Sequence, residues 1–119
     1  NVVYKMLLNP LFLSNITCGL IFMIAGFILK KYPPKHINSL YGHRTKKSMK
    51  NQKTWDFAQI CAAKQMIKAG VILMLISLFG LIYHPKIEIA LFLSFVILIM
   101  VLILFVHRVE KKLKDKFQA

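Results

Sequence analysis

The sequence predicts an all-α integral membrane protein with three transmembrane helices, and three observations support this fold class. First, 57% of the 119 residues are hydrophobic and the mean hydropathy is +0.58, whereas ordinary soluble domains are roughly 45–50% apolar. Second, the apolar residues form three runs, each close to the roughly 20 residues that cross a bilayer. Third, the formal charge is +13, so the basic residues must lie largely outside those runs. The length fits a single domain, residues 1–119.

The predicted spans are, in chain order, residues 11–29, 58–83 and 87–106. Pro10 suits the first turn of the first helix, and the consecutive prolines Pro33 and Pro34 prevent that helix from continuing. Thr54 is the expected N-cap of the second helix. The short link at residues 83–86 permits only a tight turn, so the second and third helices should be antiparallel neighbours.

The first two spans each carry a row of residues on one helix face that includes glycine, which lets helix backbones approach closely. In the first span this row comprises Asn15, Gly19, Phe22 and Gly26. In the second span it comprises Ala62, Ala69, Leu73, Ile76 and Gly80. We expect the two rows to pack against each other within one chain, and a homo-oligomer formed through them is the alternative.

The distribution of cations predicts the orientation in the membrane. Eight lie between the first two spans: Lys30, Lys31, Lys35, Arg44, Lys46, Lys47, Lys50 and Lys53. Five follow the third span: Arg108, Lys111, Lys112, Lys114 and Lys116. The opposite side carries only Lys5 and Lys86. The positive-inside rule therefore places loop 30–57 and tail 107–119 in the cytoplasm, with the N-terminus outside. The first span lacks a basic flank typical of a cleavable signal, and the start at Asn1 leaves removal of an earlier leader open.

Lys64 and Lys68 are charges within the second span and share one helix face. A charge at the bilayer centre costs about 2.5–3.5 kcal/mol, so intramembrane ions are functional candidates. Lys64 lies about one turn inside the span, where snorkelling toward the head groups accounts for it. Lys68 lies about 12 Å beyond Ile60. For Lys68, snorkelling and a specific partner both stay open, the partner being a lipid phosphate, a ligand carboxylate or an acid of another chain.

The tail continues the third helix. An apolar stripe repeats at helical spacing through Val106, Val109, Leu113 and Phe117. Glu110 and Lys114, four residues apart, are expected to form an ion pair on the helix surface. We expect a helix that leaves the bilayer with a solvated basic face, and docking of the apolar stripe on a partner or on the membrane surface is the alternative.

The loop between the first two spans has the most distinctive residue order of the chain. Most of its positions have a simple structural explanation: Gly42 turns the backbone, Trp55 lies at the membrane interface, and the cations attract anionic lipid head groups, each being worth about 1 kcal/mol. The order itself is more specific. It is carried by Asn38, Tyr41, Gly42, Arg44, Thr45, Ser48, Asn51 and Trp55.

These residues resemble the signature of the SdpI family of small bacterial membrane proteins. That signature is a G-x-R-T/S core, a hydroxyl residue three positions later, an amide or acid soon after, and a tryptophan that opens the next helix. The close resemblance covers residues 38–56, and the hydrophobic layout is similar over residues 11–83. The resemblance implies a multi-pass protein of the bacterial cytoplasmic (inner) membrane. The family's named member confers immunity against a secreted peptide toxin and, in signalling, sequesters a transcriptional repressor at the membrane; it has further spans before the matching part.

The residues do not favour an enzyme. No phosphate-binding glycine-rich pattern is present, and the histidines His36, His43, His84 and His107 show no ligand spacing. We therefore expect no catalytic residues, no metal and no cofactor. Nucleic acid is not an expected partner either, since the basic segments lie against a membrane that competes for them.

Three functions remain as hypotheses. The first is an SdpI-like binding protein in toxin immunity or signal transduction, with residues 38–55 as the recognition element and a peptide toxin or a repressor as partner. The second is an accessory subunit of a larger inner-membrane complex. The third is a binder of anionic membrane lipids or small anions, anchored by Arg44.

The orientation can be tested with reporter fusions. Because two basic clusters flank the same side of the predicted spans, an alkaline phosphatase fused at Asn1 should be active and one fused at Ala119 inactive. Phosphatase activity in the two fusions, normalised to protein level, is the measurement. The reverse pattern would contradict the predicted orientation.

Overall fold

The protein is a bundle of helices that measures 55 × 25 × 21 Å. The computed structural model describes residues 2–117. Its elements are α1 (Val2–Leu7), α2 (Pro10–Lys31), α3 (Gln52–Ser77), a 3-10 turn (Leu78–Leu81) and α4 (Ile87–Phe117). Three helical segments, namely α2, α3 with its 3-10 turn, and α4, are long and apolar enough to cross a membrane. The predicted all-α fold with three membrane-spanning helices is thereby confirmed.

The second spanning helix begins earlier than the sequence pattern indicated. Asn51 is the N-cap of α3, and its Oδ1 accepts a hydrogen bond from the backbone N–H of Thr54 (2.9 Å). Thr54 Oγ1 in turn accepts from the N–H of Asn51 (3.1 Å). The prediction of Thr54 as the N-cap is therefore wrong, because Thr54 is the reciprocal partner of a capping box that starts three residues earlier.

Glycines bring the backbones of α2 and α3 into direct contact. A Cβ atom at Gly19 would lie 2.8 Å from the carbonyl oxygen of Gly70, and one at Gly26 would lie 3.1 Å from that of Ala63. The predicted packing of the two spans within one chain is confirmed. Of the row predicted for the second span, Gly80 does contact α2, since a Cβ there would lie 2.8 Å from the carbonyl carbon of Leu11. Ala62, Ala69 and Leu73 lie in buried clusters that include side chains of α2. The close backbone contacts at Ala63 and Gly70 were not predicted.

The end of the bundle opposite the basic loop is closed by Asn9. Its Oδ1 caps α2 by accepting from the N–H of Leu11 (3.1 Å). Its Nδ2 donates to the carbonyl oxygens of Gly80 and Tyr83, both at 2.8 Å. One buried amide thus satisfies the start of α2 and the end of the second span, where backbone groups lack helical partners. The short helix α1 precedes this cap and was not predicted.

The C-terminal part of α4 packs on the bundle. Val109 and Leu113 are buried in a cluster with Leu29, Ala58 and Ala62, and the ring of Phe117 meets that of Phe57 edge-on, with centroids 5.6 Å apart. Val106, the first member of the predicted stripe, is exposed. The expected basic face of the tail helix is exposed. Its apolar stripe docks on α2 and α3 of the same chain, a surface that neither interpretation named.

The α2–α3 contact makes a prediction about Gly70. Alanine is the better helix former by about 1 kcal/mol, but a Cβ at Gly70 would lie 2.6 Å from the carbonyl oxygen of Gly19 and 2.9 Å from the backbone N of Met23. Gly70→Ala should therefore lower the free energy of unfolding by roughly 1–3 kcal/mol, the usual cost of overpacking. Thermal unfolding of the detergent-solubilised protein, followed by circular dichroism, measures this change.

The matched control is Val71→Ala on the exposed face of the same helix. It should change the unfolding temperature little. A Gly70→Ala protein as stable as the wild type would mean that the two backbones are not in contact.

Candidate functional site

The signature loop, residues 38–55, folds back over one end of the bundle, and its first turn is built by Asn38. The Oδ1 atom of Asn38 accepts from the backbone N–H groups of Leu40 (2.9 Å) and Tyr41 (2.7 Å), a side-chain turn typical of asparagine. The hydroxyl of Tyr41 donates to the carbonyl oxygen of Tyr32 at the end of α2 (2.8 Å). Asn38 and Tyr41 therefore fix the path of the chain as it leaves α2.

Gly42 allows the loop to approach α3 closely. Its φ of 106° lies in the region that favours glycine, and a Cβ there would lie 2.5 Å from Gln59 Oε1. The buried side chain of Gln59 bonds to both backbone groups of His43: Oε1 accepts from the N–H (2.7 Å), and Nε2 donates to the carbonyl oxygen (2.9 Å). The amide of Gln59 thus pairs with His43 as a neighbouring β-strand would. Sequence reasoning missed Gln59.

Ser48 holds the middle of the loop. Its Oγ accepts from the N–H of Thr45 (2.8 Å) and lies within donating distance of the carbonyl oxygens of His43 (2.9 Å) and Thr45 (3.0 Å). Its carbonyl oxygen accepts from Thr54 Oγ1 (3.1 Å), which also forms the capping box with Asn51. The structure therefore brings the signature residues Thr45, Ser48 and Asn51 into one connected network that ends at α3.

Trp55 is completely buried beneath the loop, with 0% of its surface exposed. Its indole Nε1–H donates to the carbonyl oxygen of Pro34 (2.8 Å). The prediction of a ring half inserted into the membrane interface is wrong. The loop folds over α3, and Pro34 supplies the acceptor that a buried indole N–H requires.

Glu110 of α4 binds two side chains of the loop. Its Oε1 accepts from Thr45 Oγ1 (2.6 Å) and lies 3.0 Å from His43 Nε2. Within residues 2–117, His43 and Glu110 form the one close contact between a basic side chain and a carboxylate, and it is an ion pair when His43 is protonated. The predicted pair between Glu110 and Lys114 is therefore wrong. No local sequence signal pointed to Glu110, because its loop partners lie 65 and 67 residues earlier in the chain.

Arg44 is exposed and is held by the carbonyl oxygens of its own loop. Its Nη1 donates to Ser39, and its Nε donates to Gly42 over a long 3.4 Å. The planar fork of the guanidinium suits two separate acceptors in this way. The rest of the group faces outward from the loop.

The loop covers a cavity of about 320 Å³. Tyr41, Gly42 and His43 line it from the loop side, and α2, α3 and α4 contribute apolar side chains, including Ala62 and Phe105. The ring of Phe105 meets the ring of His43 edge-on, with centroids 5.8 Å apart. The volume of the cavity is at the lower end of the range typical of small-molecule sites. The arrangement can bind a small apolar group next to backbone and imidazole polar atoms.

Comparison with known proteins identifies the family. A family model described as the SdpI/YfhL protein family matches residues 35–107, more than half of the chain. The chain belongs to the SdpI/YfhL family. A relative from Bacillus subtilis (strain 168), described as uncharacterized protein YfhL, is 34% identical over 102 residues, covering 86% of this chain and 87% of the relative. No solved structure matches the chain significantly.

The SdpI/YfhL match confirms the resemblance inferred from the signature loop. It includes the loop and its buried partner Gln59, and it ends three residues before Glu110. Together with the three spanning helices, membership of this family makes the chain a multi-pass membrane protein.

The two charged residues of the second span, Lys64 and Lys68, do not lie among the SdpI/YfhL signature residues. Lys64 and Lys68 are exposed on α3, and Lys68 lines a narrow crevice together with Arg108 of α4. Neither lines the cavity beneath the loop. Within residues 2–117, no three His, Cys, Asp or Glu side chains are grouped as metal ligands.

The pairing of Gln59 with His43 can be tested by limited proteolysis of the loop. Gln59→Leu leaves the buried N–H of His43 without an acceptor, which costs about 1–3 kcal/mol. The loop should then open more often, and trypsin should cleave after Lys46 or Lys47 about tenfold faster, since cleavage follows the population of the open state. The rate of loss of intact protein is the measurement.

Gln52→Leu provides the control, because Gln52 is exposed and donates to the carbonyl oxygen of Lys35 at the surface (2.7 Å). Its cleavage rate should stay within about threefold of the wild type, as expected for a solvent-accessible hydrogen bond. Equal acceleration by both variants would contradict the role assigned to Gln59.

Proposed function

We propose that the chain is a membrane binding protein of the SdpI type, acting in toxin immunity or signal transduction, with the signature loop as its recognition element. The observation that supports this most is the use of the family signature to build a rigid loop above a cavity. We also propose that the site binds and does not catalyse, because Thr45, Ser48 and Asn51 all make structural hydrogen bonds within the loop.

The hydrogen bonds of the loop fix its conformation before a partner binds. Each signature residue with a polar side chain is paired, and within residues 2–117 no buried side-chain polar atom lacks a hydrogen-bond partner. A recognition element that is already ordered loses little conformational entropy when a partner binds, so more of the contact energy remains as affinity. Preorganisation of this kind supports recognition through the loop.

The loop presents apolar groups to the outside. Leu40 is 88% exposed, Tyr41 is also exposed, and so is Ile37 directly before the loop. Arg44 lies in the same segment and adds a cation with free donor capacity. Tyrosine and arginine are residue types that dominate binding energy at protein interfaces, and Leu40 adds exposed apolar surface beside them. This composition supports a partner that is itself a peptide or protein with apolar side chains.

Arg44 provides the test. The chain should be expressed in a bacterium that is sensitive to a secreted peptide toxin, and the dose of toxin that halves growth should be measured. Wild-type protein should raise that dose. Arg44→Lys and Arg44→Ala should both abolish the increase, because a lysine ammonium cannot bind two carbonyl groups through a planar fork. Immunoblots of the membrane fraction establish that all variants are present at equal level.

The matched control is Lys46→Ala, an exposed cation two residues away, which should protect as well as the wild type. If Arg44→Lys protects fully, general attraction to anionic surfaces suffices and the recognition site is contradicted. If no toxin dose distinguishes cells with and without the chain, and a photo-crosslinking residue at Leu40 captures a stoichiometric membrane subunit, the chain is instead an accessory subunit.

A further inference from the structure

Cations from two helices meet along the seam between α3 and α4. Lys68 and Arg108 line one crevice. Lys112, Lys64 and Lys116 all lie within electrostatic range of Cys61 on α3. We call this set the basic seam: Lys64, Lys68, Arg108, Lys112 and Lys116. All five side chains are exposed.

The chain supplies no anion to the basic seam. Within the described residues 2–117, the single salt bridge joins His43 and Glu110, which lie at the loop. Asp115 is the nearest acid along α4 and forms no ion pair with the seam. Five cations on adjacent helix faces repel one another unless a counter-ion lies between them. The charge arrangement therefore calls for an anionic partner from outside the chain.

The length of α4 places the basic seam at a membrane boundary. Arg108 lies 21 residues after the helix start at Ile87, which corresponds to about 31 Å of helix. The hydrocarbon core of a bilayer is about 30 Å thick. With Ile87 at one boundary, Arg108 reaches the other, at the end of the bundle that carries the signature loop. Lys68 shares a crevice with Arg108 but starts deeper along α3, because its neighbour Ala69 packs beside Val101. Its long side chain reaches toward the same head-group layer by snorkelling.

An apolar groove continues from the basic seam toward the bilayer centre. It has a volume of about 520 Å³ and is lined by Ile76 of α3 and by Ile97, Val101 and Leu104 of α4. Val101 and Leu104 also line the crevice that holds Lys68 and Arg108. The groove is almost entirely apolar and joins directly to the cationic crevice. A ligand that fits both must carry an anionic head and a long apolar tail.

We propose that the basic seam and the groove together bind one anionic phospholipid, with its phosphate at Lys68 and Arg108 and an acyl chain along Ile76, Ile97 and Val101. Basic pockets between membrane helices are known sites for anionic head groups. This site differs from the signature loop and does not depend on the function proposed for it. It also accounts for Lys68, whose charge lies against the phosphate layer.

Native mass spectrometry of the full chain in a neutral detergent tests the proposal. The protein is titrated with phosphatidylglycerol or with phosphatidylcholine of the same acyl chains, and apparent dissociation constants are obtained from the bound fractions. Wild-type protein should bind phosphatidylglycerol at least tenfold more tightly than phosphatidylcholine. The double variant Lys68→Gln with Arg108→Gln should lose about 25-fold in the affinity for phosphatidylglycerol, from about fivefold for each cation. Its affinity for phosphatidylcholine should not change.

The matched control is Lys46→Gln with Lys50→Gln, which removes two exposed cations of the loop. Its net charge equals that of the double variant at Lys68 and Arg108. It should keep the affinity for phosphatidylglycerol within about twofold. Leu104→Trp tests the groove, because it adds bulk at an exposed position that lines the groove. It should weaken the binding of both lipids by the same factor. Helical circular dichroism of each variant verifies that it is folded.

Three outcomes would overturn the proposal. Equal affinity of the wild type for the two lipids would show that the basic seam does not select a charge. Equal losses in the seam variant and the loop control would show general attraction to basic protein. Binding of soluble glycerol phosphate as tightly as phosphatidylglycerol would show an anion site without an acyl chain.

Discussion

The paired hydrogen bonds between the side-chain amide of Gln59 and the backbone of His43 are the interaction on which the arrangement of the loop depends. They fix one residue of an otherwise irregular segment against α3. Gly42 must then pass close to the helix, the ring of His43 must turn toward Phe105, and Thr45 comes within reach of Glu110. A buried backbone segment outside regular secondary structure requires such partners. A single amide on a helix supplies them here, where the loop contributes no strand.

The fold was predictable from the sequence because it follows from local quantities. Hydropathy, prolines and the distribution of lysines locate membrane helices without any knowledge of tertiary contacts, and residues 2–117 have the three spanning helices that this reasoning requires. The family was predictable as well, since the order of residues 38–55 is itself the signature. The small residues of α2 were correctly expected to face α3. In the second span, Gly80 was correctly expected to face α2. Ala63 and Gly70 were missed, since several small residues lie side by side on α3.

The architecture of the site was not predictable, because it rests on partners far apart in the chain. Glu110 lies 65 residues after Thr45, and nothing local distinguishes it from a surface acid on a basic helix. Trp55 was assigned to the membrane interface by its residue type, whereas its partner at Pro34 exists only once the loop has folded back. General preferences fail at such positions, where tertiary contacts override the tendency of a residue type.

The continuity of α4 has a mechanical consequence. The helix runs without glycine or proline from Ile87 at one end of the bundle to Phe117 at the other, so it lacks the residues at which helices usually bend. Glu110 lies about 35 Å along this rod from its start, and it is bonded to the loop. A rotation or axial shift of α4 would therefore also move Glu110 relative to His43 and Thr45. One continuous helix thereby joins the two ends of the bundle, and the two hydrogen bonds of Glu110 attach it to the loop.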